Sequence, residues 1–221
     1  MVMSKDRIIL PVFLLPEIVL FTGMNLPLLI FEEKYKKMIS DCLKKDKKFG
    51  VVLAKDDLCA EVGTIAEIVE VEELENGKMN ITAEGKNRFR IIELIREDPY
   101  YEATIEFYED IKIEIDNKLK KSIEQIRELS LKALSMFDQI SEQPLFESLK
   151  LPNDPSELMF LVTSNLTCTY QVKQTILELR SIKDRSKKVL SLLKGEIKKL
   201  NVMVENKKTK KYVVKNGKLD I

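Results

Sequence analysis

The apolar residues of this chain change their repeat once, near residue 114, and that change limits what the chain can fold into. Before it, Met79, Ile81 and Ala83 alternate with Asn80, Thr82 and Glu84, and Tyr101, Ala103, Ile105 and Phe107 alternate with Glu102, Thr104, Glu106 and Tyr108. A repeat of two turns one face of a strand to a core and the other to water. After it, Leu119, Ile123, Ile126, Leu129, Ala133 and Phe137 recur at helical spacing, the stripe of a helix packed along one side. The pattern predicts an α+β protein, strands first and helices second. With 221 residues and 44% hydrophobic content, the chain has enough apolar side chains for a core in each part.

In the first part, Ile8–Phe13 and Ile18–Phe21 read as short strands joined irregularly at Pro16. Gly23 marks a turn into a third strand, Leu26–Phe31, whose Pro27 suits an edge or a strand start. Glu32–Lys45 places Tyr35, Met38, Ile39 and Cys42 on one helical face. Phe49–Ala54 and Val62–Leu74 read as strands, with Asn76-Gly77 as a two-residue hairpin turn. Gly85 marks a bulge before Phe89–Ile95, and Asp98-Pro99 turns the chain again. Seven or so short strands with one or two helices imply a small curled barrel over residues 1–112.

Residues 113–206 read as a helical bundle. Asp154-Pro155-Ser156-Glu157 is a helix start, with an Asp cap and Pro at the first helical position, and Leu158, Leu161 and Val162 follow on its inner face. Val172, Ile176 and Leu179 mark a further helix. Ser181 caps a last one whose seam is Val189, Leu193, Ile197, Leu200 and Val204. Beyond it, the lysine-rich 207–221 shows no helical period and reads as a flexible basic tail. Residues 183–221 hold 13 basic and 4 acidic residues, which leaves 24 basic and 32 acidic in 1–182. The formal net charge of +1 therefore hides an acidic body and a basic end.

Much chemistry is excluded. No Gly-Lys pair is followed by Ser or Thr, so the phosphate cradle of a nucleotide motor is missing. There is no histidine, hence no Ser-His-Asp or Cys-His site and no histidine metal ligand. Cys42, Cys59 and Cys168 are far apart and read as free thiols of a reducing cytoplasm. The carboxylate pairs Glu72-Glu73 and Glu109-Asp110 read as solvated strand ends, and no cofactor or metal is expected. The apolar stretch 8–31 is interrupted by Pro11, Pro16, Glu17, Gly23, Asn25 and Pro27, so it reads as neither a span nor a signal core.

The order of pieces resembles one known family. LPVFLLPEIVLFTGMNLPLLIF at 10–31, Glu61-Val62-Gly63-Thr64, Glu84-Gly85-x-x-Arg88, Asp98-Pro99-Tyr100 and Asp154-Pro155-Ser156-Glu157-Leu158 follow one another as in the N-terminal, substrate-binding domain of Lon-type ATP-dependent proteases. Thr22 stands where many relatives have proline. The resemblance covers nearly the whole chain up to about residue 204. It implies a pseudobarrel related to the RNA-binding PUA domain, followed by a helical subdomain, as in family members that lack the ATPase and peptidase. It implies no catalytic residue.

A non-enzymatic cytoplasmic module that recognises unfolded or partner polypeptides is therefore the first expectation, with a separate ATP-dependent protease as a possible co-worker. Phe21 and Met24, flanking Gly23, are the expected apolar contacts; the alternative for both is packing beneath the barrel. Leu193 and Ile197 belong either to a seam shared with a partner helix or to the bundle core, so the chain is expected to be a monomer or a weak homo-oligomer. RNA binding through the barrel and the basic end is the alternative function, weakened by the acidic first 182 residues. A cryptic hydrolase ranks last.

Overall fold

The computed structural model describes residues 7–55, 58–141 and 150–215. Contacts group the chain into two compact units: residues up to Lys112 with Cys168–Ser181, and Ile113–Thr167 with the residues from Ile182 onward. The first unit therefore takes a piece of chain from beyond residue 112.

The strands of the first unit are β1 (Arg7–Pro16), β2 (Asn25–Ile30), β3 (Lys48–Lys55), β4 (Leu58–Cys59), β5 (Val62–Glu73), β6 (Met79–Arg96) and β7 (Glu102–Phe107), with the helix α1 (Glu33–Leu43) between β2 and β3. β1 closes the barrel by serving two neighbours. Arg7–Pro11 pair antiparallel with β7, and Val12–Pro16 pair parallel with β3. The ring runs β1-β7-β6-β5-β3 and returns to β1, while β2 lies off it, paired with β6. Closure leaves the ring strands without a free edge. The core between them contains Leu10, Val12, Val52, Ile65, Phe89, Ala103 and Ile105. Phe89 fits because Gly63 faces it: a Cβ there would lie 2.9 Å from the ring and 2.4 Å from the Val51 carbonyl oxygen. A second apolar cluster joins Phe13 and Leu15 to α1 and β2, with the Phe13 and Tyr35 rings stacked at 4.0 Å. Each fully buried side chain of this size stabilises by about 1.5–3 kcal/mol.

Ile18–Phe21 is not a strand. Pro16 has no N–H for a ladder, and Glu17 takes a positive φ of 59°, which turns the chain out of β1. The segment instead crosses β6 at Gly85. The Gly23 N–H donates to the Gly85 carbonyl at 2.7 Å and the Gly85 N–H to the Met24 carbonyl at 2.8 Å. A Cβ on Gly85 would lie 2.2 Å from the Phe21 carbonyl oxygen, so only glycine allows this approach. The bulge expected near Gly85 is present: Thr64 and Ala66 of β5 face Arg88 and Gly85. Glu75–Gly77 form a single 3-10 turn in place of the expected two-residue turn.

The helix α4 (Tyr170–Glu178) packs in the first unit. Its last turn ends in carbonyls with no partner inside the helix, and side chains from the barrel supply donors. Arg88 Nη1 donates to the Leu177 and Leu179 carbonyls at 2.6 and 3.1 Å, and the Tyr108 hydroxyl to that of Glu178 at 3.0 Å. The same guanidinium pairs with Asp110, and a cation there also suits the negative end of the helix dipole. At the other end of the contact, Gln174 Nε2 donates to the Val62 carbonyl at 2.9 Å.

The second unit holds α2 (Asn117–Ile140), α3 (Pro155–Asn165) and α5 (Ile182–Lys215). The Asp154 carboxylate accepts from the Ser156 and Glu157 N–H groups at 2.8 and 2.9 Å, as the sequence predicts. Leu119, Ile126, Ala133 and Met136 are buried in α2, whereas Phe137 is 36% exposed. The inner face passes through residue 136, one position before the expected Phe137. In α3, Met159 and Phe160 are buried with Leu158 and Val162, and Leu161 is only half-buried. Arg185 is fully buried, donating to Ser156 Oγ at 2.9 Å with its guanidinium 4.3 Å from the Phe160 ring centre. The α5 seam of Val189, Leu193, Ile197, Leu200 and Val204 is buried, and α5 packs along α2. Where a tail is expected from 207, the helix continues to Lys215. Lys207 Nζ donates to the Ile140 carbonyl at 2.7 Å, satisfying the end of α2. Residues 216–221 of that expected tail lie outside the described residues. Among the described residues, no helix is long and apolar enough to cross a membrane.

Candidate functional site

The surface that stands out is the outer face of β2, β6 and β5, at the end of the sheet that β7 does not reach. Register sets its rows: Pro27 faces Thr82, which faces Glu70, and Leu29 faces Asn80, which faces Glu72. Along β2, Leu26 and Leu28 turn inward against the second core cluster, while Pro27 and Leu29 (52%) stay exposed on the alternate face, and Phe31 (58%), just past the strand, is exposed as well. Six of these residues, Pro27, Leu29, Thr82, Asn80, Glu70 and Glu72, line a shallow concavity of about 670 Å³. The Asn80 amide donates to Glu72 at 2.9 Å and the Thr82 hydroxyl to Glu70 at 3.2 Å. The central strand thus holds the two carboxylates in place.

The thiols and carboxylates singled out in the sequence are placed as follows. Burial pushes the Cys42 thiol up to about 12, with the nearby Asp46 adding to it, so it stays protonated at neutral pH. Burial raises Cys59 as well. Glu72 and Glu73 are adjacent in one strand and point to opposite faces. Asp110 is taken by Arg88. No three His, Cys, Asp or Glu side chains among the described residues converge as metal ligands do.

The residues expected to make contacts lie elsewhere. Phe21 is 1% exposed, because the turn that crosses Gly85 carries its side chain inward. This corrects the expectation of an exposed pair there. Met24 is half-buried and packs on the second core cluster. Leu193 and Ile197 are 1% and 7% exposed within the helical unit, which takes the bundle-core side of the alternative. The structure brings none of these four to the β2–β6–β5 face. Leu29 and Phe31 were missed because Leu26–Phe31 is apolar at both parities. Pro27, a marker of edge strands, was the available signal.

A family model of the ATP-dependent protease La (LON) substrate-binding domain matches residues 9–195. The Lon protease of Flavobacterium johnsoniae is 29% identical over 203 residues, covering 87% of this chain and 25% of that protein. That of Porphyromonas gingivalis is 27% identical over 199 residues, covering 85% and 23%. The chain thus spans about a quarter of the length of these curated relatives. Among solved structures, a Lon N-terminal domain protein from Xanthomonas campestris aligns with a TM-score of 0.63 at 19% identity, over 83% of this chain and 98% of that one. The N-terminal domain of a Mycobacterium avium complex Lon protease aligns at 0.66 and 18%, over 84% and 98%. These two share the fold, a PUA-like barrel with a helical part ending in a long helix. By the family model's match over most of its length, this chain belongs to the LON substrate-binding domain family.

Proposed function

We propose that the chain is a non-catalytic module that holds exposed apolar segments of unfolded or partner polypeptides on the outer face of β2, β6 and β5. The carrying observation is the exposed series of Pro27 and Leu29 on one preformed strand and Phe31 just past its end. Apolar side chains in a row on a rigid strand bind with little ordering cost, which suits weak capture and release. The family's description as a substrate-binding domain supports the same reading, and an ATP-dependent protease is the natural receiver of what is captured. That the described cysteines form no disulfide suits a cytoplasmic setting. RNA binding gains no support at this face, since Glu70 and Glu72 repel phosphates.

The test is suppression of aggregation of a chemically unfolded client by the full chain. Leu29→Ser/Phe31→Ser should lose most of the suppression while keeping its circular dichroism spectrum and melting temperature. Full suppression by that double variant rules out this face as the binding surface.

A further inference from the structure

Resting on the polypeptide-binding reading above, we infer that the same face selects extended segments in which lysine or arginine alternates with apolar residues. The face carries two unlike rails. Along β2 run Pro27 and Leu29, with Phe31 just past its end; along β5 run Glu70 and Glu72; between them lie Thr82 and Asn80 of β6. Two inter-strand spacings separate the rails by about 10 Å, and the repeat along each rail is about 6.8 Å. An extended peptide lying over β6 sends successive side chains to opposite sides and repeats on each side every two residues, at that same spacing. One set of its side chains then meets the apolar rail and the other the acidic rail.

The acidic rail is open to a cation. Glu70 and Glu72 accept hydrogen bonds from the neutral groups of Thr82 and Asn80. Neither carboxylate has an ion-pair partner among the described residues. Glu84 and Glu102, in contrast, are matched with Lys86 and Arg96. Glu75 follows in the chain and adds to the field. At the β5–β6 turn, Lys78 is exposed beyond the last paired row, and Lys36, whose Nζ comes close to Gly77, is paired with Glu33.

The geometry also favours the face over the edge of β2. The Gly85 N–H to Met24 carbonyl bond fixes which pairs are bonded, so residues 25, 27 and 29 turn their backbone groups away from β6. At the middle one, Pro27 offers no N–H, which blunts strand addition there.

The experiment measures fluorescence anisotropy of three labelled peptides with the full chain: one alternating lysine with valine and leucine, one with glutamate replacing lysine, and one with serine replacing lysine. The lysine peptide should bind about tenfold more tightly than the serine peptide at low salt, and the glutamate peptide more weakly than either. Glu70→Gln/Glu72→Gln should erase the ranking while leaving the serine peptide's affinity unchanged. Equal affinities for the lysine and glutamate peptides, or a ranking that survives the double variant, overturns the inference. Failure of the parent reading looks different: the serine peptide then binds no better to the wild type than to Leu29→Ser/Phe31→Ser.

Discussion

The two units solve the same problem by different means. In the helical unit a seam of apolar side chains, Leu119, Ile126 and Ala133 on α2 and Val189 through Val204 on α5, does most of the fixing, and side-chain donors such as Lys207 and Arg127 serve carbonyls at the end of α2 and before α3. In the barrel unit, stretches without regular backbone bonding leave carbonyls that need donors, and single polar side chains reach far along the sequence to supply them. Thr64 Oγ1 donates to the Leu20 carbonyl at 2.6 Å, Gln174 to that of Val62, and Arg88 to those of Leu177 and Leu179. A buried carbonyl must find a partner. Regular elements therefore tolerate substitutions that keep volume, whereas irregular junctions depend on one residue each.

The largest break in this contrast should come from Arg88→Met. It removes three hydrogen bonds and leaves Asp110 without its guanidinium, in a place where side-chain exposure of the pair is only 5% and 20%. Breaking one side of such a pair costs about 3–5 kcal/mol. Chemical denaturation should show that loss, and hydrogen exchange should show it first in the amides of α4. If α4 keeps its protection, apolar packing and not the arginine holds it.

Next in size is a pair of substitutions in the helical unit. Leu193→Ala empties a position 1% exposed and should cost about 3 kcal/mol, while Phe137→Ala, at 36% exposure, should cost only about 1 kcal/mol. Thermal melts compare them directly. Equal losses would mean that burial along the seam is not what stabilises this unit.

The same contrast governs what could be read from sequence. The repeats of 2 and 3.6 assign element types without further information, and Asp154 marks its helix start because capping is local chemistry. Barrel closure is not local: no periodicity shows that β1 changes partner between Pro11 and Val12. Nor does it show that α4 joins the strands, although Gln174, a polar residue buried to 6% exposure, marks the face that does so. The proposed binding face was hidden for a related reason. Exposure in an apolar run depends on which strand stays off the ring, so Phe21, two residues before a turn glycine, is buried while Leu29, within a strand, and Phe31, just past its end, are not. The acidic rail is written in the alternation of Val69, Glu70, Val71 and Glu72, but its use needs β2 alongside.

The smallest expected effect sharpens the contrast at a polar tie that titrates. The Tyr100 hydroxyl donates to Asp41 Oδ2 at 3.0 Å, linking α1 to the segment before β7. Burial, and then the Asp41 carboxylate, push the phenol up to about 12 from an ordinary 10.0. On the other side, Asp41 is held below its usual 3.8, first by its hydrogen bond from Lys37 and then by Tyr100. A folded pKa raised above the unfolded one gives stability that is complete below pH 10 and disappears as pH rises towards 12. Loss of the phenolic proton removes the donor and sets a second negative charge beside Asp41. Tyr100→Phe should cost about 1 kcal/mol at pH 8, measured by urea denaturation. The gap between wild type and variant should narrow steadily from pH 10 to 12. Lysines titrating in the same range act on both proteins and cancel in the difference. A gap that stays constant across that range would mean that the phenol contributes only packing, and that this junction is held in the manner of the helical unit.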